Sequence, residues 1–326
     1  ALGVAGVNGQ VTGGGGANVV EGSNGVDTIT LTGANTGTIA VAGVPGVVTN
    51  FTDIGSVDGR SGSDQFVLTD GATIGSVSGG SGVDTLTGPA SGAAFTLTTL
   101  LTDTGAVSGG ATVTAFDGIQ NLIGLAGAVD TFVLDDDATL TGNVDGGALL
   151  DPNTLTLNPG ARILGTVQNV DVVLNAAGTN GIENENFTVE VDAATSRLQV
   201  VIENVTTPAL SAINEYFVPV GVLNVLLTVN ADEGADTLTV DYTSGVLPQT
   251  IEFNVDEETV LDGTVDAAAD GVRLIGTGGA GAYVATLDAE GRREFVTDGT
   301  NSVFVSTAAG VTFPVVEVEN QSSFRF

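Results

Sequence analysis

The stretches Asp64-Gln-Phe-Val-Leu-Thr-Asp-Gly-Ala-Thr-Ile74 and Asp130-Thr-Phe-Val-Leu-Asp-Asp-Asp-Ala-Thr-Leu140 decide the fold, because seven of their eleven positions are identical at an offset of 66 residues. Upstream, Val48-Thr-Asn-Phe51 matches Val113-Thr-Ala-Phe116. A degenerate third copy begins at Asn153, where asparagine stands in place of the aspartate. Units that cannot bury their apolar face alone stack on one another. The sequence therefore predicts a tandem-repeat protein.

Short runs with alternating apolar residues fill both repeats, such as Thr28-Ile-Thr-Leu31 and Phe95-Thr-Leu97, and glycine and aspartate separate them. Short strands at this spacing predict an all-β protein with a parallel β-solenoid, either a β-helix or a β-roll. We expect the solenoid over residues 22–175, with three coils to each repeat. The residues expected to point inward are Ile29, Leu31, Phe66, Leu68, Leu86, Phe132, Leu134, Leu155 and Leu157.

The glycine content and the strand pattern of the sequence change along the chain and predict three regions. Residues 1–21 form a Gly-rich segment that could serve as an assembly strand. Residues 22–180 hold the solenoid, and residues 181–326 form a C-terminal β-rich domain with mixed or antiparallel strands. In that domain, Phe187–Val191 and Leu198–Ile202 flank Asp192–Ser196 and predict an antiparallel hairpin.

The chain is strongly acidic, with 39 carboxylates, seven arginines and a formal net charge of −32. This charge argues against nucleic acid and anionic membranes as partners, because both attract positive charge. The sequence contains no run of about 18 apolar residues, so it predicts no helix that spans a membrane. Divalent cations are the natural partners of such a surface, although the acidity could equally serve to keep an exported protein soluble.

The sequence contains no cysteine and no histidine, and all seven of its cations are arginine. Disulfides and thiolate metal sites are therefore excluded, and so are Ser-His-Asp and Cys-His nucleophile systems. A lysine Schiff base is excluded as well. These absences favour a protein that is not an enzyme.

One chemical motif recurs. Gly79-Gly-Ser-Gly-Val-Asp84-Thr-Leu-Thr87 satisfies every fixed position of the nonapeptide G-G-x-G-x-D-x-U-x, which is the signature of the calcium-binding β-roll. Partial versions carry Asp27, Asp64 and Asp236, and near residues 276–284 the aspartate position holds Gly281. The candidate metal ligands are therefore Asp27, Asp64, Asp84 and Asp236, and the candidate cofactor is Ca²⁺.

The motif has two physical interpretations. In the first, glycines with positive φ expose carbonyls, and Asp84 joins Asp27 or Asp64 and these carbonyls around calcium. The aspartates are 37 and 20 residues apart, so some turns could lack a neighbour with which to share an ion. In the second interpretation, the aspartate side chain caps backbone N–H groups where a strand begins.

The segment Asp130–Gly147, which follows Phe116-Asp-Gly-Ile-Gln-Asn-Leu-Ile-Gly124, resembles repeats of very large bacterial surface proteins, the filamentous-haemagglutinin-like and RTX-like adhesins. Leu226–Val240 is similar to repeats in exported proteins of the same broad kind. The resemblance implies a secreted or cell-surface β-solenoid that forms a fibre or adhesin and is often stabilised by calcium.

Three functions follow as hypotheses. The first is a structural subunit of an extracellular filament or adhesin stalk, a homopolymer joined through its chain ends, with the cell surface or polysaccharide as further partners. Residues 1–21 or 313–326 would then complete a neighbour's sheet by strand addition. The second is a calcium-dependent surface-layer lattice protein. The third is a β-helix enzyme acting on polysaccharide, with Asp135, Asp136 and Asp137 as candidate carboxylates.

Overall fold

A computed structural model describes the chain over residues 2–3, 8–15, 17–148, 151–175, 184–205, 208–217, 226–230, 236–241 and 250–254, and describes the backbone of six strands between 271 and 325. Apart from one 3-10 turn, Pro208–Leu210, every regular element in these ranges is a β-strand. No helix in the described part is long and apolar enough to cross a membrane. The protein is all-β, as predicted.

The chain divides into two compact units. Unit 1 comprises Ala1–Leu155 with Ile163–Val170, and unit 2 comprises Thr156–Arg162 with Asp171–Phe326. The strands that begin in unit 1 are β1 Leu2–Gly3, β2 Gly9–Thr12, β3 Val19–Glu21, β4 Asp27–Gly33, β5 Thr36–Val41, β6 Val48–Thr52, β7 Ser56–Asp58, β8 Gln65–Leu68, β9 Thr73–Ser78, β10 Thr85–Thr87, β11 Ala93–Leu97, β12 Gly105–Gly109, β13 Thr112–Asp117, β14 Asn121–Ile123, β15 Thr131–Leu134, β16 Thr139–Leu140, β17 Val144–Asp145 and β18 Thr154–Leu157.

Unit 1 contains two sheets, and the chain passes from one to the other after almost every strand. The first sheet has the order β1-β3-β7-β9-β13-β12-β11-β15, and the second has the order β2-β6-β5-β4-β8-β10-β14-β17. Strands that return to a sheet pair in parallel. The exceptions are two antiparallel meanders, β4–β6 and β11–β13, in which three consecutive strands stay in one sheet.

Unit 2 has the same combination of parallel and antiparallel pairs. The meander of strands β21 (Glu185–Asp192), β22 (Arg197–Asn204) and β23 (Ala212–Phe217) pairs in parallel, through β21, with β25 (Thr237–Asp241). Strand β25 pairs in parallel with β27 (Gly271–Ile275). The expectation of a parallel solenoid up to residue 180, followed by mixed or antiparallel strands, is wrong, because antiparallel meanders occur in both units. The hairpin predicted around Asp192–Ser196 is confirmed. The remaining strands are β19 Arg162–Gln168, β20 Asp171–Asn175, β21 Glu185–Asp192, β22 Arg197–Asn204, β23 Ala212–Phe217, β24 Leu226–Asn230, β25 Thr237–Asp241, β26 Thr250–Asn254, β27 Gly271–Ile275, β28 Ala282–Leu287, β29 Arg293–Thr297, β30 Asn301–Ser306, β31 Val315–Glu319 and β32 Ser323–Arg325.

Equivalent strands of the two repeats lie in different sheets. Phe66 is on β8 in the second sheet of unit 1, and Phe132, its counterpart, is on β15 in the first. The expectation of three whole coils per repeat is therefore wrong. Each repeat contains a meander of about 25 residues that stays in one sheet. Three whole coils would require the chain to cross between the two sheets six times in each repeat. Too few residues are left after the meander for the sixth crossing.

The predicted inward positions are confirmed, since all nine of those side chains are buried. The burial alternates along each strand, which is the period of two expected of a pleated sheet. Phe95 and Phe132, on the neighbouring strands β11 and β15, stack with ring centroids 4.9 Å apart. Alternating burial is what the repeat keeps constant from one copy to the next.

Candidate functional site

Asp27, Asp64 and Asp84 lie on neighbouring strands of one sheet and are called the aspartate column below. Ile29 pairs with Phe66, and Phe66 pairs with Leu86, so the aspartate two residues before each of them is in register as well. All three aspartates are fully buried. The uneven spacing of the aspartates in the sequence does not separate them in the sheet. The interval from Asp27 to Asp64 is the longer one because it contains the meander β4–β6.

The aspartate column is a hydrogen-bonded ladder. Asp64 Oδ1 accepts the backbone N–H of Asp27 at 2.7 Å, and Asp84 Oδ1 accepts the N–H of Asp64 at 2.7 Å. At the next strand, Gln120 Oε1 accepts the N–H of Asp84 at 2.6 Å. Each side chain therefore satisfies a buried backbone donor on the adjacent strand, a geometry related to the capping interpretation of the motif.

Each aspartate of the column uses one side-chain oxygen as an acceptor, which for Asp27 is Oδ2, bonded to the N–H of Ser23. Within the described part of the chain, Asp27 Oδ1, Asp64 Oδ2 and Asp84 Oδ2 are buried without a hydrogen-bond partner. Asp64 Oδ2 packs against Gly59, where a Cβ would lie 2.3 Å from it and 2.8 Å from the carbonyl oxygen of Gly79. A buried oxygen without a partner carries a desolvation cost of about 1–3 kcal/mol, more if it is charged.

The pKa values of two of these carboxyls respond to this environment. Burial raises the pKa of Asp64 to about 7; the N–H of Asp27 opposes the rise, and the carboxylates of Asp84, Asp27 and Asp58 add to it. Burial also raises the pKa of Asp84, against the opposing effect of the Asp64 N–H. Both shifts favour the protonated carboxyl.

A second ladder in the other sheet of unit 1, called the mixed column below, consists of Ala93, Asp130 and Asn153. Asp130 Oδ1 accepts the N–H of Ala93 at 2.8 Å, and its Oδ2 accepts the N–H of Leu125 at 3.1 Å. Asn153 Oδ1 accepts the N–H of Asp130 at 2.7 Å, and its Nδ2 donates to Gly146 O at 2.7 Å. Neither Asp130 nor Asn153 was among the predicted site residues, although the repeat alignment indicates their equivalence.

Gln120 and Asp103 extend the aspartate column and were also missed. Gln120 Nε2 donates to Asp103 Oδ2 at 3.4 Å, and Thr141 donates to the same carboxylate from its N–H at 2.7 Å and from its hydroxyl at 2.6 Å. Gln120 lies two residues before the buried Leu122. A polar residue two positions before an inward apolar residue is the signal that would have identified it.

The other predicted residues lie apart from the aspartate column. Asp236 lies in unit 2, where it is buried and its Oδ1 accepts the N–H of Glu185 at 2.7 Å. Asp136 and Asp137 are exposed in a turn after β15, and Asp137 has a left-handed φ of 55°. The motif at residues 276–284 lies largely outside the described residues.

The geometry of the column is not that of a calcium cage. Calcium takes six to eight oxygen ligands, whereas each carboxylate of the column already accepts an N–H group with one oxygen, and the other oxygen of Asp64 and of Asp84 packs against a glycine. Among the described residues, no group of three or more Asp, Glu, His or Cys side chains is placed to hold a metal ion. Calcium binding stays a prediction, and the function proposed below does not depend on it.

No protein-family model matches the sequence, and a search of curated proteins found no match. The resemblance to large bacterial surface proteins therefore stays a prediction. What supports a function is the geometry of the chain itself.

Proposed function

We propose that the chain is a β-solenoid subunit of an extracellular or cell-surface filament or adhesin stalk, and that it self-assembles through the terminal strands of its sheets. The observation that carries the proposal is the position of β1 and β2. In the described sheets of unit 1 they stand at the ends of the strand order. An open strand edge is a template for pairing with another chain.

The polarity of the terminal strands favours contacts between unlike ends. β1 pairs in parallel with β3, and β2 pairs in parallel with β6. At the other end of the chain, β31 and β32 are terminal in their strand orders and also pair in parallel, with β27 and β28. Addition of β31 or β32 of one copy to an N-terminal edge of the next would continue the parallel pattern. Such heterologous contacts produce filaments where they do not close into rings.

The charge of the chain supports growth at the ends. With a net charge of −32, side-by-side contact of two copies brings like charges together. Edge pairing gains its free energy from backbone hydrogen bonds that carry no net charge. Among its described residues, β2 contains no acidic residue, since its sequence is Gly9-Gln-Val-Thr12.

The experiment tests the outward face of β2. Gly13 N–H donates to Thr52 O on the β6 side at 2.9 Å, and the direction of N–H groups alternates along a strand, so the N–H of Gln10 faces away from β6. Gln10→Pro removes this outward donor and keeps the bonds to β6. We expect fibres from the natural chain and from the control Gln10→Ala in negative-stain microscopy, and folded monomers from Gln10→Pro.

Fibres from Gln10→Pro as abundant as those from Gln10→Ala would show that this edge does not join subunits. Natural chain that stays monomeric at high concentration, with and without calcium, would contradict self-assembly as a whole. Two-dimensional sheets that need calcium would instead favour the surface-lattice alternative. Circular dichroism of each variant separates lost assembly from lost folding.

A further inference from the structure

We propose that the turn Thr98–Leu101, called the leucine turn below, is a docking site for a partner protein, and that it takes a segment in which apolar side chains lie beside lysine or arginine. The turn presents Leu100 and Leu101 to solvent, with 72% and 45% of their surfaces exposed. It joins β11 to β12, and neither strand is terminal in its sheet. The site is therefore separate from the edges that are proposed to join subunits.

Three other turns of the chain have the same backbone form as the leucine turn. Each follows a strand that ends in a buried leucine, and in each the N–H of the fourth residue donates to the carbonyl of the first at 2.9–3.0 Å. These turns are Thr69–Ala72, Asp135–Ala138 and Asn158–Ala161, and their third residues, which have left-handed φ, are Gly71, Asp137 and Gly160. In the leucine turn, Leu101 N–H donates to Thr98 O at 3.1 Å, and Leu100 has a φ of 61°.

The leucine turn differs from the other three at its last two positions. The left-handed position holds glycine or aspartate in those turns and Leu100 here. Leu100 is also the one residue with an aliphatic side chain among the eight described non-glycine residues with left-handed φ, of which five are asparagine or aspartate. The fourth position holds a buried alanine in the other turns and the exposed Leu101 here.

The backbone at Leu100 is strained, because a left-handed φ brings the Cβ of an L-residue close to the next carbonyl oxygen. The side chain is largely exposed, so it gains little burial that would offset this strain. Strained residues persist where a function requires them. We therefore assign the two leucines to a contact outside the chain.

Backbone hydrogen bonds hold the leucine turn against the neighbouring turn Asp135–Ala138. Leu100 N–H donates to Asp136 O at 3.1 Å, and Thr139 N–H donates to Leu101 O at 3.0 Å. The two leucines are thus presented on an ordered backbone, which lowers the entropy cost of docking.

Carboxylates flank the leucine turn on both sides and define the chemistry of its partner. Asp136 and Asp137 are exposed in the turn that follows β15, which pairs with β11. On the other side, β13 pairs with β12, and the exposed Asp117 of β13 accepts the Thr104 hydroxyl at 2.9 Å. An exposed apolar patch with a polar rim marks a protein interface, and an acidic rim favours a cationic partner. A second copy of this chain has the same carboxylates and a net charge of −32, so it is disfavoured as the occupant.

The test titrates two fluorescein-labelled peptides with the protein and follows their fluorescence anisotropy. The leucine peptide is Lys-Leu-Leu-Lys-Leu-Leu-Lys, and the serine peptide, Lys-Ser-Ser-Lys-Ser-Ser-Lys, reports how much binding comes from charge alone. We expect Leu100→Asn to raise the Kd of the leucine peptide about tenfold, because apolar burial is lost, and to leave that of the serine peptide unchanged. Val44→Asn is the matched control, since it removes another exposed apolar side chain of unit 1 and should leave both Kd values unchanged.

The same variants separate docking from a role in the fold. Asparagine tolerates a left-handed φ, so Leu100→Asn should raise the Tm by about 2–4 °C. Leu101→Ala introduces the residue of the other three turns, and it should weaken binding of the leucine peptide without lowering the Tm.

Equal binding of the leucine peptide to the natural chain and to Leu100→Asn would overturn the inference. A Tm of Leu100→Asn below that of the natural chain would show that the leucine serves the fold, and would overturn it as well. Self-association that persists in Gln10→Pro and is lost in Leu100→Asn would make a second copy the occupant and contradict a cationic partner.

Discussion

The aspartate column and the mixed column have the same ladder of N–H···O bonds between strands but differ in whether the second side-chain atom has a hydrogen-bond partner. In both, a side-chain oxygen accepts the N–H of the neighbouring strand at 2.7–2.8 Å. In the mixed column the remaining atoms of Asp130 and Asn153 have hydrogen-bond partners. In the aspartate column the remaining oxygens of Asp64 and Asp84 have none among the described residues.

The difference teaches that the ladder bond alone does not determine whether a buried carboxyl is charged. Burial raises the pKa of Asp130 as well, although the N–H groups of Ala93 and Leu125 both donate to it and oppose the rise. Asp64 and Asp84 receive one N–H each, so their second oxygens lack the donor that favours the ionised form of Asp130. A substitution that gives the second side-chain atom of one column the hydrogen bonding of the other column should therefore also change how the stability depends on pH.

The largest effect is expected where both columns need a glycine. Gly79→Ala would place a Cβ 2.1 Å from the backbone oxygen of Gly118, and a backbone atom within a sheet cannot move away without breaking pairs. We expect a loss of about 3 kcal/mol in the free energy of unfolding, measured by urea denaturation. Gly25→Ala is the control, since its nearest contact would be Ser23 Oγ at 3.7 Å, and we expect less than about 0.5 kcal/mol. Equal effects would show that the glycine contact at the column is not tight.

The next effect comes from converting the mixed column into an aspartate column. Asn153→Asp removes the amide that donates to Gly146 O and places a carboxylate oxygen there. The free energy of unfolding should fall by about 2 kcal/mol at pH 8, and much of the loss should be recovered at pH 4.5, where the new carboxyl is protonated. A loss that does not depend on pH would indicate a packing defect rather than a missing proton.

The smallest effect is expected at Asp130. Asp130→Asn places an amide N–H₂ opposite one of the two N–H donors, from Ala93 or Leu125, so one hydrogen bond is lost. The expected loss is about 1 kcal/mol at pH 8. Asp64→Asn carries the same change of atoms but should stabilise the fold at pH 8, because it replaces a carboxyl whose pKa is raised by burial and whose second oxygen has no hydrogen-bond partner among the described residues. If both substitutions stabilise, the comparison between the columns does not explain the behaviour of either residue.

The sequence predicted the all-β class and the inward residues correctly, because alternation of polar and apolar residues reports directly on burial. Phe66 and Phe132 were identified in this way, and so was the hairpin around Asp192–Ser196. The exchange of sheets between the repeats was not predicted, because strands within a meander have the same alternation as strands that cross between sheets. Pairing direction is set by contacts distant in sequence, which the local pattern does not contain.

The candidate site was predicted in part. The nonapeptide motif identified Asp27, Asp64 and Asp84, and the structure brings them onto neighbouring strands. The motif did not reveal that Gln120 continues the same ladder, since an amide at that position breaks the pattern. Nor did it indicate that Oδ2 of Asp64 packs against Gly59, because that contact forms only in the folded chain.

The most direct test of the central claim is a pH titration of the aspartate ¹³Cγ chemical shifts in the folded natural chain, with the Asp64 resonance assigned by its absence in Asp64→Asn. The burial of Asp64, which raises its pKa, predicts that its carboxyl titrates with a midpoint near pH 7 in EDTA. An Asp64 carboxyl that is already fully ionised at pH 5 in the folded chain would contradict it.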